Sequence, residues 1–290
     1  MKVAVIGAEG QLGSDVCDEF EKNSDDVHRV NHAMLDIALL DNVAIALSEI
    51  KPDIVVNTAA FHNVEKCEHD PFTAFSVNAL GARNLAEVTR EIGALFIHIS
   101  TDYVFDGTKL QPYEETDTPR PLNVYGNSKL SGEYFVRSIA ERYFILRTSA
   151  LYGKHPCRAK GGLNFVELML KLAQEREVIK VVDSEIVTPT STAELARQIV
   201  EVSRCDAFGL YHATAEDSCS WYEFAREIFA LAEREVHLVA AGPHDFPAKV
   251  ARPAYSVLEN RGLKAIRLNG FNDWRHGLKT YLGLSVGAAR

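Results

Sequence analysis

A tyrosine and a lysine stand four residues apart in Val124-Tyr125-Gly-Asn-Ser-Lys129, at the start of a stretch that predicts a helix. Four residues make about one helical turn, so the phenol and the ammonium share a face. Reduction of a ketone needs a proton at oxygen as hydride reaches carbon, and a phenol with an ordinary pKa of about 10 is a poor acid at neutral pH. A nearby lysine charge lowers that value and can also hold the ribose of a hydride donor. Standing alone, such a pair is equally a surface helix pair. Here it follows Ile97-His-Ile-Ser100-Thr101-Asp102-Tyr-Val-Phe-Asp-Gly107, which reads as a strand entering a polar loop. Ligands of open α/β sheets bind at the carboxyl ends of strands, where Thr101 falls, and its hydroxyl can orient a substrate carbonyl toward Tyr125. Tyr125, Lys129 and Thr101 are the candidate catalytic residues.

The second constellation is Val3-Ala-Val-Ile-Gly7-Ala-Glu-Gly10-Gln-Leu-Gly13, three glycines after an apolar run and at the mouth of an amphipathic one. A dinucleotide diphosphate needs this combination of tight turn, close backbone approach and helix N-terminus with unpaired N–H groups. The GxxGxxG spacing differs from the simpler GxGxxG fingerprint. The second strand should end near Val30-Asn31-His32, where no Asp or Glu stands to bind a ribose 2′-hydroxyl. Arg29 lies close by and can point either way, so either NADPH or NADH is permitted. Asp36-Ile37 has the composition of an adenine contact, a carboxylate for the exocyclic amine beside an apolar wall, or of a helix-capping aspartate.

These residues must be positioned by alternating strands and helices. Strands are predicted at Lys2–Ile6, Val27–Asn31, Ile54–Asn57, Leu95–Ile99 and Tyr143–Arg147, with a helix from Asp70 to Ile92 carrying Phe72, Phe75, Val77, Leu80, Leu85 and Val88 on its apolar face. Such βαβ rhythm predicts a Rossmann-type, doubly wound parallel sheet in an α/β protein. Beyond residue 150 the rhythm loosens into a smaller, loop-rich α+β substrate lobe marked by prolines 243, 247 and 253. Residues 1–150, with about 177–183 and 192–212, should form the nucleotide-binding domain. Residues 151–176, 184–191 and 213–290 should form the substrate lobe.

Length and composition agree: 290 residues, 47% hydrophobic and 24% charged, suit one large domain or two. A net charge of −9 without a basic block disfavours nucleic acid and anionic membranes. The short apolar run at the start is no signal-peptide core, and five cysteines without a CxxC pair suggest reduced thiols, so a cytoplasmic chain is expected. No His spacing suggests a metal hydrolase, and no metal is expected.

Across nearly the whole chain the motifs resemble those of the dTDP-4-dehydrorhamnose reductase family, extended short-chain dehydrogenases/reductases. The matching stretches include GxxGQLG at 7–13, PDIVVNTAAFHNVEKCE at 52–68, HISTDYVFDG at 98–107, VYGNSKLSGE at 124–133, RTSALYG at 147–153 and ARPAYSVL at 251–258. The resemblance implies NADPH- or NADH-dependent reduction of the C4 ketone of a dTDP-4-keto-6-deoxy sugar. It implies that Gly10, Gln11 and Leu12 meet the cofactor diphosphate, Asn31 its ribose end, Asp36 and Ile37 the adenine, and Ala60, Phe61 and His62 its middle. Thr101 and Asp102 would meet the sugar, Tyr125 would donate the proton and Lys129 would tune it. Arg252 would lie near the nucleoside end of the nucleotide-sugar substrate, or form an interdomain salt bridge.

The chain departs from the family at Ala150, where Trp usually lies against the deoxysugar, at Ser184-Glu185, where DQ is usual, and at Phe61. Either another aromatic such as Tyr152 takes over or the sugar is a different 4-keto-6-deoxyhexose. Some members hold magnesium at a homodimer interface, for which Asp15 and Glu194 are the candidates; solvated helix carboxylates are the preferred expectation. The competing functions are a nucleotide-sugar epimerase or dehydratase, whose Asp-Glu pair after the strand-end threonine is absent here, and a non-catalytic NADP-binding subunit like that of methionine adenosyltransferase.

Overall fold

The computed structural model describes residues 1–157, 161–242, 245–246 and 249–284. Prolines 243 and 247 lie outside the described residues. Five strands, β1 (Lys2–Ile6), β2 (Asp26–Val30), β3 (Ile54–Asn57), β4 (Leu95–Thr101) and β5 (Tyr143–Thr148), join Gly209–His212 in one six-stranded sheet. Its order is β2-β1-β3-β4-β5 followed by Gly209–His212, and every pairing is parallel. The chain leaves β1 in one direction for β2 and returns to β3 on the other side. This reversal opens a crevice at the carboxyl ends of β1 and β3.

Strands buried on both faces read as continuous apolar runs, as in Val3-Ala4-Val5 and Val55-Val56, because helices cover the sheet on each side. One face packs Val16, Cys17 and Phe20 of α1 (Gln11–Lys22) with Leu195, Ile199 and Val202 of the helix Thr192–Val202. The other packs Val43 and Leu47 with Leu85, Val88 and Val136.

The segment predicted as one helix from Asp70 to Ile92 is interrupted by a π-helical turn, Ser76–Leu80, between helices Pro71–Phe75 and Gly81–Glu91. The wider turn shifts the phase of the apolar stripe. Asn78 and Ala79 are buried, while Phe72, Phe75 and Leu80, expected on the apolar face, are exposed. Periodicity alone could not show this, because an assumed 3.6-residue repeat cannot register an extra residue in a turn.

A second core lies beyond residue 150. Helices Phe165–Glu175 and Trp221–Leu231, each opened by a capping box (Asn164 with Glu167, Ser220 with Glu223), enclose Phe224, Ile228, Trp274 and Tyr152. Trp221 and Phe224 are part of this aromatic packing. One assignment is corrected. Gly209–His212 returns to the main sheet, but Val178–Val182 does not; it pairs in parallel with His237–Ala241 and packs into the second core. Its alternating exposure marks a strand covered on one face only, unlike the strands of the main sheet.

All five cysteines are free. No helix among the described residues is long and apolar enough to cross a membrane.

At Gly13 a Cβ would stand 2.2 Å from the Gly7 carbonyl oxygen and 2.8 Å from Thr58 Oγ1. Gly13→Ala should therefore destabilise the protein by about 2 kcal/mol or more in urea unfolding. A loss below about 0.5 kcal/mol would show that α1 does not need this close approach to the sheet.

Candidate active site

The glycine turn is built for backbone approach. Gly7 sits at φ 81°, where L side chains are strained, and its N–H donates to the Val30 carbonyl at 2.9 Å. Gly10 caps α1 without a side chain, and no acidic residue occupies the first turn. The N–H groups that open a helix have no carbonyl one turn earlier, so the positive end of α1 is directed into the crevice at the end of β1. Leu12 buries its side chain, leaving only its backbone for a ligand. Gln11 reaches the other way, its Nε2 donating to the carbonyls of Gly153 and His155. The chain thus supplies the cradle an anionic dinucleotide requires.

At the end of β2, Asn31 Nδ2 donates to Glu9 Oε1 at 2.8 Å across the mouth of the turn. Arg29, whose direction was open, turns toward α1 and pairs with Asp18 and Glu21. Asp36 accepts the Ala38 N–H at 3.0 Å, capping its own turn, and Ile37 is buried against Gly81. Ala60, Phe61 and His62 follow β3 in partly buried positions. Asn78, brought inward by the π-turn, accepts the Phe61 N–H at 2.8 Å and donates to the Phe61 carbonyl and to Ser128 Oγ, both at 3.0 Å. One side chain thereby joins the segment after β3 to the helix Val124–Ile139.

That helix carries the reactive pair. Asn123 caps it by accepting the Gly126 N–H at 2.8 Å, and Asn123 Nδ2 donates to the Ala251 carbonyl at 2.9 Å. At Gly126 a Cβ would meet the Tyr103 carbonyl oxygen at 2.2 Å, so only glycine lets the helix lie this close to the strand-end loop. One turn beyond Lys129, Glu133 forms a buried pair with Arg147 of β5: Nε and Nη2 donate to the two carboxylate oxygens at 2.9 and 2.7 Å. Ser100 Oγ donates to the same carboxylate, and the Arg147 guanidinium lies 5.2 Å over the Phe105 ring. Sequence reasoning missed Glu133 and Arg147, although the spacing Tyr125, Lys129, Glu133 is one helical stripe.

Thr101 Oγ1 donates to Asp102 Oδ1 at 3.0 Å and accepts the Tyr103 N–H at 3.1 Å, with the Tyr125 phenol beside it. Asp102 is buried and also accepts a hydrogen bond from Ser149 Oγ at 2.9 Å; burial raises its pKa and the neighbouring hydroxyls lower it. Tyr125 is pushed above the ordinary tyrosine value, first by burial, with the Thr101 contact pulling down and Asp102 and Cys67 pushing up. The phenol therefore holds its proton at neutral pH. Lys129 Nζ donates to the Ile99 carbonyl at 2.6 Å, and burial brings its pKa down to about 8. Arg252 lies 3.9 Å from Glu65, a contact between the second lobe and the segment after β3.

Two expectations are corrected. Tyr152 is 1% exposed and packs against Phe224 and Tyr281, so it cannot serve as a sugar platform in place of the missing Trp. Asp15 and Glu194 are not solvated carboxylates: Glu194 is 4% exposed, and Asp15 accepts a hydrogen bond from Thr192 Oγ1. Asp15 instead groups with Asp18 and His155, whose Nε2 is 3.4 Å from each carboxylate.

A dinucleotide cradle at the sheet's switch point, with a protonated phenol beside a strand-end hydroxyl, defines a Rossmann-type NAD(P)-dependent oxidoreductase. The family model described as RmlD substrate binding domain matches residues 1–285. A crystal structure of dTDP-4-dehydrorhamnose reductase from Bacillus anthracis in complex with NADP is 39% identical, covers 97% of this chain and 98% of that one, and has a TM-score of 0.91. The spore coat polysaccharide biosynthesis protein SpsK of Bacillus subtilis (strain 168) is 38% identical over 97% of this chain and 96% of its own length. A dTDP-4-keto-6-deoxy-D-glucose reductase of Streptomyces niveus is 35% identical, covering 94% of each chain. The chain belongs to the dTDP-4-dehydrorhamnose reductase family.

Glu133→Gln removes one partner of a fully buried ion pair and leaves the Arg147 charge uncompensated, which should cost about 3–5 kcal/mol in denaturant unfolding. A cost under about 1 kcal/mol would show that the pair does not fix the helix to the sheet.

Proposed function

We propose that the protein reduces the C4 ketone of a dTDP-4-keto-6-deoxy sugar, dTDP-4-dehydro-L-rhamnose being the preferred substrate and dTDP-L-rhamnose the product. The observation that carries this reading is the Tyr125 phenol beside Thr101, itself hydrogen-bonded to Asp102 at the end of β4, near a glycine cradle in a chain of this family. The reduced nicotinamide dinucleotide, when bound, supplies the hydride. Gln11, Leu12 and Gly13 would hold its diphosphate through the backbone N–H groups that open α1, with Gly7 and Gly10 shaping the turn that lets it approach and Asn31, Asp36 and Ile37 toward the adenosine end. Ala60, Phe61, His62, Tyr125 and Lys129 would lie along the rest of it.

Tyr125 donates the proton to the ketone oxygen. Burial keeps the phenol protonated until the charge developing on that oxygen draws the proton across. Thr101, oriented by Asp102, would orient the substrate carbonyl toward the phenol. Lys129, fixed at the Ile99 carbonyl, would bind the cofactor ribose and stabilise the phenolate left behind. Arg252 would leave Glu65 for the diphosphate of the nucleotide sugar, since both groups are partly exposed and their contact is long. The second lobe, residues 151–176 and 213–290 with the strand Val178–Val182, would close over the sugar, and the reaction would run in the cytoplasm.

The test is oxidation of NADPH followed with dTDP-4-dehydro-L-rhamnose. Tyr125→Phe should lower kcat by about 10³-fold with the dinucleotide Kd changed less than about threefold. Tight NADPH binding without turnover in the parent would favour a non-catalytic subunit and defeat the proposal. Because the Lys129 ammonium form is lost above its lowered pKa of about 8, kcat/KM should fall as pH rises through that value. A profile flat to pH ~10, near the ordinary lysine value, would show that this charge is not required.

A further inference from the structure

Lys129 makes a second contact that the proposed reaction does not use. Its Nζ lies 3.4 Å from Nε2 of His98, a residue of β4 that is 1% exposed. His98 Nδ1 in turn lies 3.1 Å from Asn57 Nδ2 on β3, with Asn57 directly opposite His98 in the parallel register. The orientation of the Asn57 amide is set independently: its Oδ1 accepts the backbone N–H of Ala59 at 3.1 Å, so its NH₂ group is what faces the imidazole. An NH₂ donates, so Nδ1 must be the unprotonated nitrogen, and a neutral His98 carries its proton on Nε2, toward the lysine.

We propose that His98 is a positioning residue for Lys129, its tautomer fixed by Asn57 so that an N–H, not a lone pair, faces the lysine nitrogen. This rests on the reading of Tyr125 and Lys129 as the working pair. The consequence follows from donor counting. An ammonium has three donors and no lone pair, so it cannot bond an N–H; it is directed instead to the Ile99 carbonyl and to ligand oxygens. A neutral amine has a lone pair and can accept the Nε2–H. His98 therefore holds the neutral amine and opposes the ammonium, which the Ile99 carbonyl holds instead.

The groups around the pair are few. Glu133 lies one turn along the helix and favours the lysine charge, but it is neutralised by Arg147 from β5. Tyr125 lies one turn back. Ile145, opposite His98 on β5, and the Phe96 ring, 6.0 Å away, are apolar. Burial and the Lys129 charge both keep His98 itself neutral.

Two measurements decide the matter. Nitrogen-15 spectra of the intact, cofactor-free protein labelled at histidine, with His98 assigned through its contacts to Phe96 and Asn57, should show the Nε2–H tautomer unchanged from pH 6 to 8. An Nδ1–H tautomer or an imidazolium at pH 7 would overturn the proposal, and this readout requires neither turnover nor a variant. His98→Gln offers the lysine an acceptor oxygen in place of the N–H. The alkaline limb of kcat/KM should then move up by about one pH unit, a tenfold change in proton affinity, and KM for the dinucleotide should rise about fivefold as the lysine is drawn inward. A folded His98→Gln enzyme whose pH profile and KM overlay those of the parent would also overturn it. If the parent itself does not turn over, the proposed function fails, and the tautomer alone decides whether His98 is set as described.

Discussion

The site depends on one buried ion pair. Glu133 and Arg147 are each 2% exposed or less, and their carboxylate and guanidinium meet in a two-pronged contact between the helix Val124–Ile139 and β5. Burying two charges is expensive unless their geometry is good and their remaining valences are filled. Here Ser100 supplies a third hydrogen bond to the carboxylate and the Phe105 ring lies under the guanidinium, while Arg147 Nη1 has no hydrogen-bond partner among the described residues. The pair is directional where apolar packing is not. It fixes the rotation of the helix about its own axis, and therefore the direction in which Lys129 and Tyr125, one and two turns earlier, project.

The other constraints act on the same helix from different sides. Asn123 ties its first turn to the segment that carries Arg252, and Asn78 ties it to the residues after β3. Gly126 allows its N-terminus to lie against the Tyr103 carbonyl. The strand-end residues Thr101 and Asp102, hydrogen-bonded to each other, then stand beside Tyr125. Burial raises the phenol and lowers the lysine, so a protonated phenol and a lysine near its titration point stand side by side.

How much of this was legible in the sequence differs by element. The main-sheet strands were, because doubly covered strands must be apolar throughout and short. The glycine turn was, because only glycine tolerates the φ of residue 7 and the contact at residue 13. Tyr125, Lys129 and Thr101 were found through spacing and strand ends, and the structure brings Thr101 to Tyr125. Asn78 was hidden by a π-turn that no 3.6-residue repeat anticipates. The pairing of Val178–Val182 with His237–Ala241 was hidden because a short apolar run does not say which sheet it joins. Polar partners such as Glu133 with Arg147, or Asn57 with His98, come from distant strands and have no local signature. The acidic composition gains a clearer meaning. With a net charge of −9, attraction of an anionic dinucleotide cannot come from the overall field, and the local donors at the crevice are the opening turn of α1 and Lys129.

Ala150 marks the part of the site where this chain departs from the family pattern. It lies at φ 46°, and the buried Tyr152 beyond it belongs to the second core. The tryptophan usual in the family is absent here, while Tyr125 and the residues that fix its helix are present. The central claim is that hydride arrives at C4 of such a sugar as Tyr125 protonates its oxygen. The most direct measurement is turnover of dTDP-4-dehydro-L-rhamnose with NADPH deuterated at the transferred position, followed by NMR of the product. One deuterium at C4 of the sugar is predicted. Product without deuterium at C4, or deuterium at another carbon, would contradict the account.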